Sequence, residues 1–176
     1  LFLISLLILH SHFYIYKNLY YLSIMSVTLR SSDGQEFSVS EDACQISRYL
    51  ANQIQNGKTE IDLEDVKSDI LKLVVNYLNY YSNNDTPKIP DVITSNDLKK
   101  QVSAWDYKFV NGLSFEQTFN LINAGLLLEL DHLHDLGCAK VACFMKGKTP
   151  DEINKEFTIE CQLTQDEATQ LGLDTK

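Results

Sequence analysis

Paired cysteines are missing from this chain. Its 176 residues hold four, Cys44, Cys138, Cys143 and Cys161, with no CxxC pair and no framework spacing. That excludes a disulfide-stapled scaffold and predicts reduced thiols in a cytoplasmic or nuclear protein. Positive charge is short too. Lys and Arg number 15 against 24 Asp and Glu, for a formal net charge of −9 and a pI near 4.8. Phosphates would repel so acidic a chain, so nucleic acid is excluded as a partner. No internal repeat is evident, and tryptophan occurs once, at Trp105. The length allows one domain with a real core plus an appendage.

The one long apolar run, residues 1–24, lacks Gly, Ala, Pro, Val, Asp and Glu, and Lys17 is its only formal charge. About 20 apolar residues can span a bilayer. Here Ser, His, Tyr, Lys and Asn interrupt the run, and no small-residue cleavage site follows. The chain starts with Leu, Met25 directly precedes the first strand-like stretch, and the run's residue types suit AT-rich codons. The expectation is upstream translated sequence, a native start at Met25 and no membrane partner. Peptides from before Met25 in the natural protein would overturn it.

From Val27 the chain alternates apolar and polar residues on both sides of Asp33-Gly34, a hairpin signal. Ala43, Ile46, Leu50 and Ile54 then fall at helical spacing, and Asn56-Gly57 closes that helix. Ile61 and Leu63 alternate with acids in a third strand. Ser68 is placed to cap a helix with the stripe Ile70, Leu71, Val74, Tyr77 and Leu78. Residues 81–104, with Pro87, Pro90 and several Asn and Ser, have the composition of a flexible linker.

Order returns at Trp105. Ser114 and Gln117 form a capping box that opens a helix with Phe115, Phe119, Ile122 and Leu126 inward. Leu130, Leu133, Leu136, Val141, Phe144 and Met145 make another apolar face. Thr149-Pro150-Asp151-Glu152 reads as a cap and helix entry, and Thr164 with Glu167 as a last capping box closed by Gly172. The fold class is α/β, a short sheet packed with helices followed by a helical extension. The boundaries are 25–80 and 105–145 for two parts of the core, 81–104 for the linker and 146–176 for the extension.

Each candidate for chemistry has a simpler structural explanation. Gly147-Lys148-Thr149 suggests a phosphate loop, but Ala142 stands where that motif needs glycine and a helix precedes it. His134 and Cys138 can share a helix face, whereas His132 points elsewhere, and two ligands do not make a four-ligand zinc site. They read as a surface histidine pair beside a core cysteine. The cysteine flanks match no reactive-thiol motif. Paired carboxylates such as Glu41-Asp42 fall near helix starts, where the macrodipole explains them. No enzyme, cofactor or metal follows from these residues; an apolar helical tail points to a protein partner.

Three motifs stand in order: Ser31 to Phe37, Trp105-Asp106-Tyr107-Lys108-Phe109, and Lys146 to Ile153. Together they resemble the Skp-one family, the F-box-binding adaptors of cullin-based SCF ubiquitin ligases, over about Val27 to Ile159. The resemblance implies a BTB/POZ core that faces a cullin N-terminal domain and C-terminal helices that clasp F-box proteins. It implies F-box-facing positions at Phe119, Leu133, Val141, Met145, Ile153, Phe157 and Ile159. A cullin-facing family segment, Ala-Ala-Asn-Tyr-Leu-Asp-Ile, reads here Ala124-Gly125-Leu126-Leu127-Leu128-Glu129-Leu130, so Leu126 and Leu127 replace an amide and a phenol. The family's acidic loop is reduced to Asn56-Gly57-Lys58-Thr59, and its usual late tryptophan is lacking. The expected function is a non-enzymatic SCF adaptor. The alternatives are a diverged adaptor with altered cullin engagement and a BTB-type oligomer that self-associates.

Overall fold

The computed structural model describes residues 26–149, 152, 153 and 155. The expectations for residues 1–24 and for the Thr164–Gly172 helix lie outside them. Three strands form one sheet in the order β2-β1-β3. β1 (Ser26–Ser31) pairs antiparallel with β2 (Glu36–Ser40) and parallel with β3 (Glu60–Leu63). Alternation decides which face is wet. Val27, Leu29, Val39, Ile61 and Leu63 point into the core. On the opposite face Arg30 sits directly across from both Glu36 and Asp62 and pairs with each, at 2.9 and 2.8 Å.

Six α-helices follow among the described residues: α1 (Glu41–Cys44), α2 (Arg48–Gln55), α3 (Ser68–Tyr81), α4 (Ala104–Asn111), α5 (Phe115–Leu127) and α6 (Asp131–Met145). The single helix expected from Ala43 to Ile54 is two. Ser47 breaks it by adopting extended backbone and accepting from the Leu50 N–H. Its hydroxyl also donates to the Leu128 carbonyl at 2.5 Å, so a partner 81 residues away selects the break. Ser68 is not a cap but the first residue of α3. Asp33 caps that helix from the hairpin turn, accepting from the Ser68 N–H at 2.9 Å and from its hydroxyl at 2.5 Å.

One core cluster runs from Val27 to Cys143, so the stretches on either side of residues 81–104 share one interior. Within 81–104, Leu98 is buried in a short 3-10 turn (Leu98–Lys100), and Ile89 and Ile93 pack on the same core. The Trp105-to-Phe109 motif lies in α4. Trp105 is stacked between Tyr80 and Phe109, at centroid distances of 3.9 and 4.9 Å. Asp106 is fully buried and accepts from Tyr81 Oη at 2.6 Å and Ser103 Oγ at 2.8 Å. His132 on α6, expected at the surface, lies inside beside it with its side chain only 11% exposed, Nε2 3.7 Å from Asp106 and Nδ1 3.1 Å from Tyr77 Oη. Burial pushes the His132 pKa down, against Asp106, Asp135 and the Pro87 backbone. These contacts lock α3, α4 and α6 together.

Candidate protein-interaction surfaces

The capping box at Ser114 and Gln117 forms as expected and starts α5. Its buried residues are Thr118, Leu121, Ala124 and Gly125, with Leu128 just beyond, rather than the expected Phe115, Phe119, Ile122 and Leu126. Phe115 and Ile122 are half-buried, while Phe119 is 41% and Leu126 68% exposed. The reason is the approach of α6. A Cβ at Gly125 would stand 2.9 Å from the His134 backbone nitrogen, so the small side of α5 turns inward and the larger residues turn out.

Five large hydrophobics are exposed among the described residues, and three of them, Phe119, Leu126 and Leu127, lie on α5. Phe119 and Leu126 are seven residues apart and so nearly in line along the helix. Leu126 and Leu127, with Asn123, Ala124, Asp65 and Val66, line a groove of about 360 Å³. Toward the helix N-terminus the same face turns polar, where Glu116, Asn120 and Asn123 meet Asp65, Lys67 and Ile70 around a hollow of about 220 Å³. The loop residues Asp65 and Val66 escaped sequence reasoning, because nothing near them in the chain marks a surface shared with α5.

α5 ends in a Schellman motif. The Leu130 N–H donates to Gly125 and the Glu129 N–H to Leu126, with Glu129 at φ 52°. The left-handed conformation costs a side-chain-bearing residue about 1–2 kcal/mol. Arg48 reaches across from α2 to hold Glu129 at 3.1 Å and Asp131 at 3.2 Å. With the Ser47–Leu128 bond, this pins the end of the apolar stripe to the front of the domain.

The second surface is the C-terminal end of α6. Met145 is 42% exposed there, and Val141 is half-buried. Gly147 takes φ 84° and ends the helix, and Thr149 and Glu152 exchange a capping box at 2.8 and 3.4 Å. Ile153 comes next, half-buried. The lysines of the Gly-Lys-Thr stretch are occupied. Lys146 donates to the Ile93 carbonyl, and Lys148 donates to the Phe144 carbonyl with its ammonium 3.8 Å above that ring. The segment is a turn and cap.

The seven candidate F-box positions therefore separate. Val141 and Met145 lie at the end of α6 and Ile153 just past the Gly147 turn, while Phe119 lies on α5 with Leu126. Leu133 is fully buried and belongs to the core, because the α6 face toward α5 is the apolar one. Phe157 and Ile159 lie outside the described residues.

Among the thiols, Cys44 and Cys143 are buried and Cys138 is exposed, which corrects its placement in the core. Burial, with Glu41 adding to it, pushes the Cys44 thiol up to about 11, so it stays protonated at neutral pH. No helix among the described residues is long and apolar enough to cross a membrane.

Comparison with known proteins points one way. Residues 25–83 match the family model described as Skp1 family, tetramerisation domain, and residues 131–172 match Skp1 family, dimerisation domain. An S-phase kinase-associated protein 1 homolog of Tetrahymena thermophila is 35% identical over 152 residues, 85% of this chain and 92% of that protein. SKP1-like protein 12 of Arabidopsis thaliana is 36% identical over 83% of this chain and 91% of its own length. The E3 ubiquitin ligase complex SCF subunit sconC of Aspergillus fumigatus is 33% identical over 83% and 93%.

Proposed function

From the premise that this chain belongs to the Skp1 (Skp-one) family, we propose that it is a non-enzymatic adaptor joining F-box substrate receptors to a cullin in an SCF-type ubiquitin ligase. The observation that carries the reading is the pairing of two separate apolar surfaces on one rigid core. The groove at Leu126 and Leu127 on α5 faces the cullin N-terminal domain, and the end of α6 with Met145 and Ile153 takes the F-box. An adaptor needs both faces and a fixed geometry between them. The buried Asp106 network and the Arg48 bridge supply that rigidity. The chain performs no chemistry of its own; it sets the distance from a bound substrate to the catalytic end of the ligase. Its free thiols and acidic charge suit the cytoplasm and nucleus.

The test is co-migration of the full chain with an F-box protein and with a cullin N-terminal domain. A ternary complex is expected, and failure to bind any F-box protein from the same cell sinks the reading. A second reading, F-box binding with altered cullin engagement, rests on the exposed Leu126 and Leu127. They offer shape without hydrogen bonds where the family pattern has Asn-Tyr. Under it, the L126N/L127Y double variant gains cullin binding that the parent chain lacks. Tight cullin binding by the parent chain removes this second reading.

A further inference from the structure

The solvent side of α6 carries a pair of metal-ligating side chains that the adaptor role leaves unused. Cys138 is exposed, and its Sγ lies 3.8 Å from Nε2 of His134, one helical turn earlier. His134 Nδ1 lies 3.2 Å from Asp135 Oδ1. With the Nδ1–H donating to that carboxylate, the Nε2 lone pair faces the sulfur. This is the tautomer a metal requires, held by the carboxylate–histidine arrangement that orients ligating imidazoles. In a tetrahedral zinc site, bonds of about 2.3 Å to sulfur and about 2.0–2.1 Å to nitrogen set the two ligand atoms about 3.6 Å apart. The observed separation needs only a small side-chain rotation to match.

We propose that His134 and Cys138 form half of a tetrahedral site for a thiophilic divalent cation such as Zn²⁺, completed by the same pair from a second copy of the chain. Two ligands leave such an ion two open positions, and no cluster of three or more His, Cys, Asp or Glu gathers among the described residues to fill them. A two-fold pairing brings the same two ligands from each copy and closes a Cys₂His₂ set. The adjoining surface suits burial. Ile89, Pro90, Ile93, Ala139 and Ala142 line a groove of about 340 Å³ beside Cys138, with Asp91 and Asp135 at its edge. Without a cation these acidic edges, on chains of net charge −9, hold two copies apart. The entering ion replaces two thiol protons and leaves the net charge as it was, so its four metal–ligand bonds have to outweigh that repulsion. Each Cys138 thiol gives its proton to solvent as the metal–sulfur bond forms, so two protons leave per ion and no electrons move. The inference stands on α6 geometry and does not depend on the adaptor reading.

The experiment titrates Zn²⁺ into the metal-free full-length chain, reading mass by light scattering and proton release by calorimetry in two buffers. Co²⁺ serves as the probe for thiolate-to-metal charge transfer. The expected result is a doubled mass, one ion per two chains and two protons released. C138S and H134A abolish the mass change with unchanged melting temperature. D135N weakens binding about 10–100-fold, as loss of an orienting carboxylate does. C161S, a thiol elsewhere in the chain, leaves the titration as it was. One ion per chain with no mass change overturns the pairing. Binding that survives C138S and H134A marks an adventitious ion only and overturns the site, as does no binding at all.

Discussion

The Ser47 hydroxyl caps α2 and holds the Leu128 carbonyl, so removing it acts twice. Losing a cap costs about 1 kcal/mol, and stranding a buried carbonyl about 1–3 kcal/mol more. Urea unfolding of S47A should therefore show a loss of about 2–4 kcal/mol. Ser40 caps α1 through a longer 3.3 Å bond at an exposed position and makes no buried contact like that of Ser47 with Leu128 among the described residues. S40A should lose no more than about 1 kcal/mol. Equal losses would mean that the Leu128 contact contributes nothing. Asp33 gives the pH counterpart. Hydrogen bonding to Ser31 and Ser68 holds its carboxyl below the ordinary value. A carboxyl depressed by folding contributes stability above its unfolded pKa and loses it as pH falls through the folded one. Acid unfolding below about pH 4 should thus be shallower in D33N than in the parent chain. NMR titration of Asp33 at or above the ordinary value would refute the capping account.

α5 and α6 meet where Gly125 faces the His134 backbone. In G125A two terms oppose each other. Alanine gains about 1 kcal/mol in helix propensity, while an overpacked contact costs about 1–3 kcal/mol. Because the obstacle is backbone and not a side-chain tip, overpacking should win by about 1 kcal/mol. Amide shifts should move around His134, and a stabilised variant with unmoved shifts would contradict the close approach. This contact also shows what could be read in the sequence. The strands, the Ser114 and Thr149 capping boxes and the Gly147 turn were legible, because each rests on neighbours within a few residues. The phase of α5 was not. Leu126-Leu127-Leu128 is apolar at three consecutive positions, so periodicity cannot say which of them faces in. Only the position of α6 settles it: Leu128 is buried and Leu126 exposed. The Ser47 break and the Asp33 cap were invisible for the same reason, since their partners lie far along the chain. Leu126, Leu127 and Met145 are exposed, Leu126 against the inward place its spacing predicts, while only the fold brings Asp65 and Val66 beside Leu126 and Leu127.

Across the whole molecule, the buried Asp106 carboxylate joins α3 through Tyr81 to its own helix through Ser103, with His132 of α6 alongside. D106A leaves the Tyr81 and Ser103 hydroxyls without their shared acceptor and should cost about 1–3 kcal/mol for each. Domains of this kind have only about 5–15 kcal/mol in hand. The D106A/Y81F double variant should lose less than the sum of the two singles, by about 0.5–3 kcal/mol, if they act through one network. Strict additivity in a double-mutant cycle would dissolve that network. The Ser47–Leu128 and Arg48–Glu129 contacts have a consequence during synthesis. Each joins residues 81 positions apart. At about 5–20 residues per second, a ribosome takes about 4–16 s to make that span. Throughout this interval the hairpin and α1–α2 exist without their far partners. Ala43, Cys44 and Leu50, all buried in the finished domain, then lack part of the core that covers them. The nascent chain needs a holding chaperone most between the emergence of α2 and that of α5.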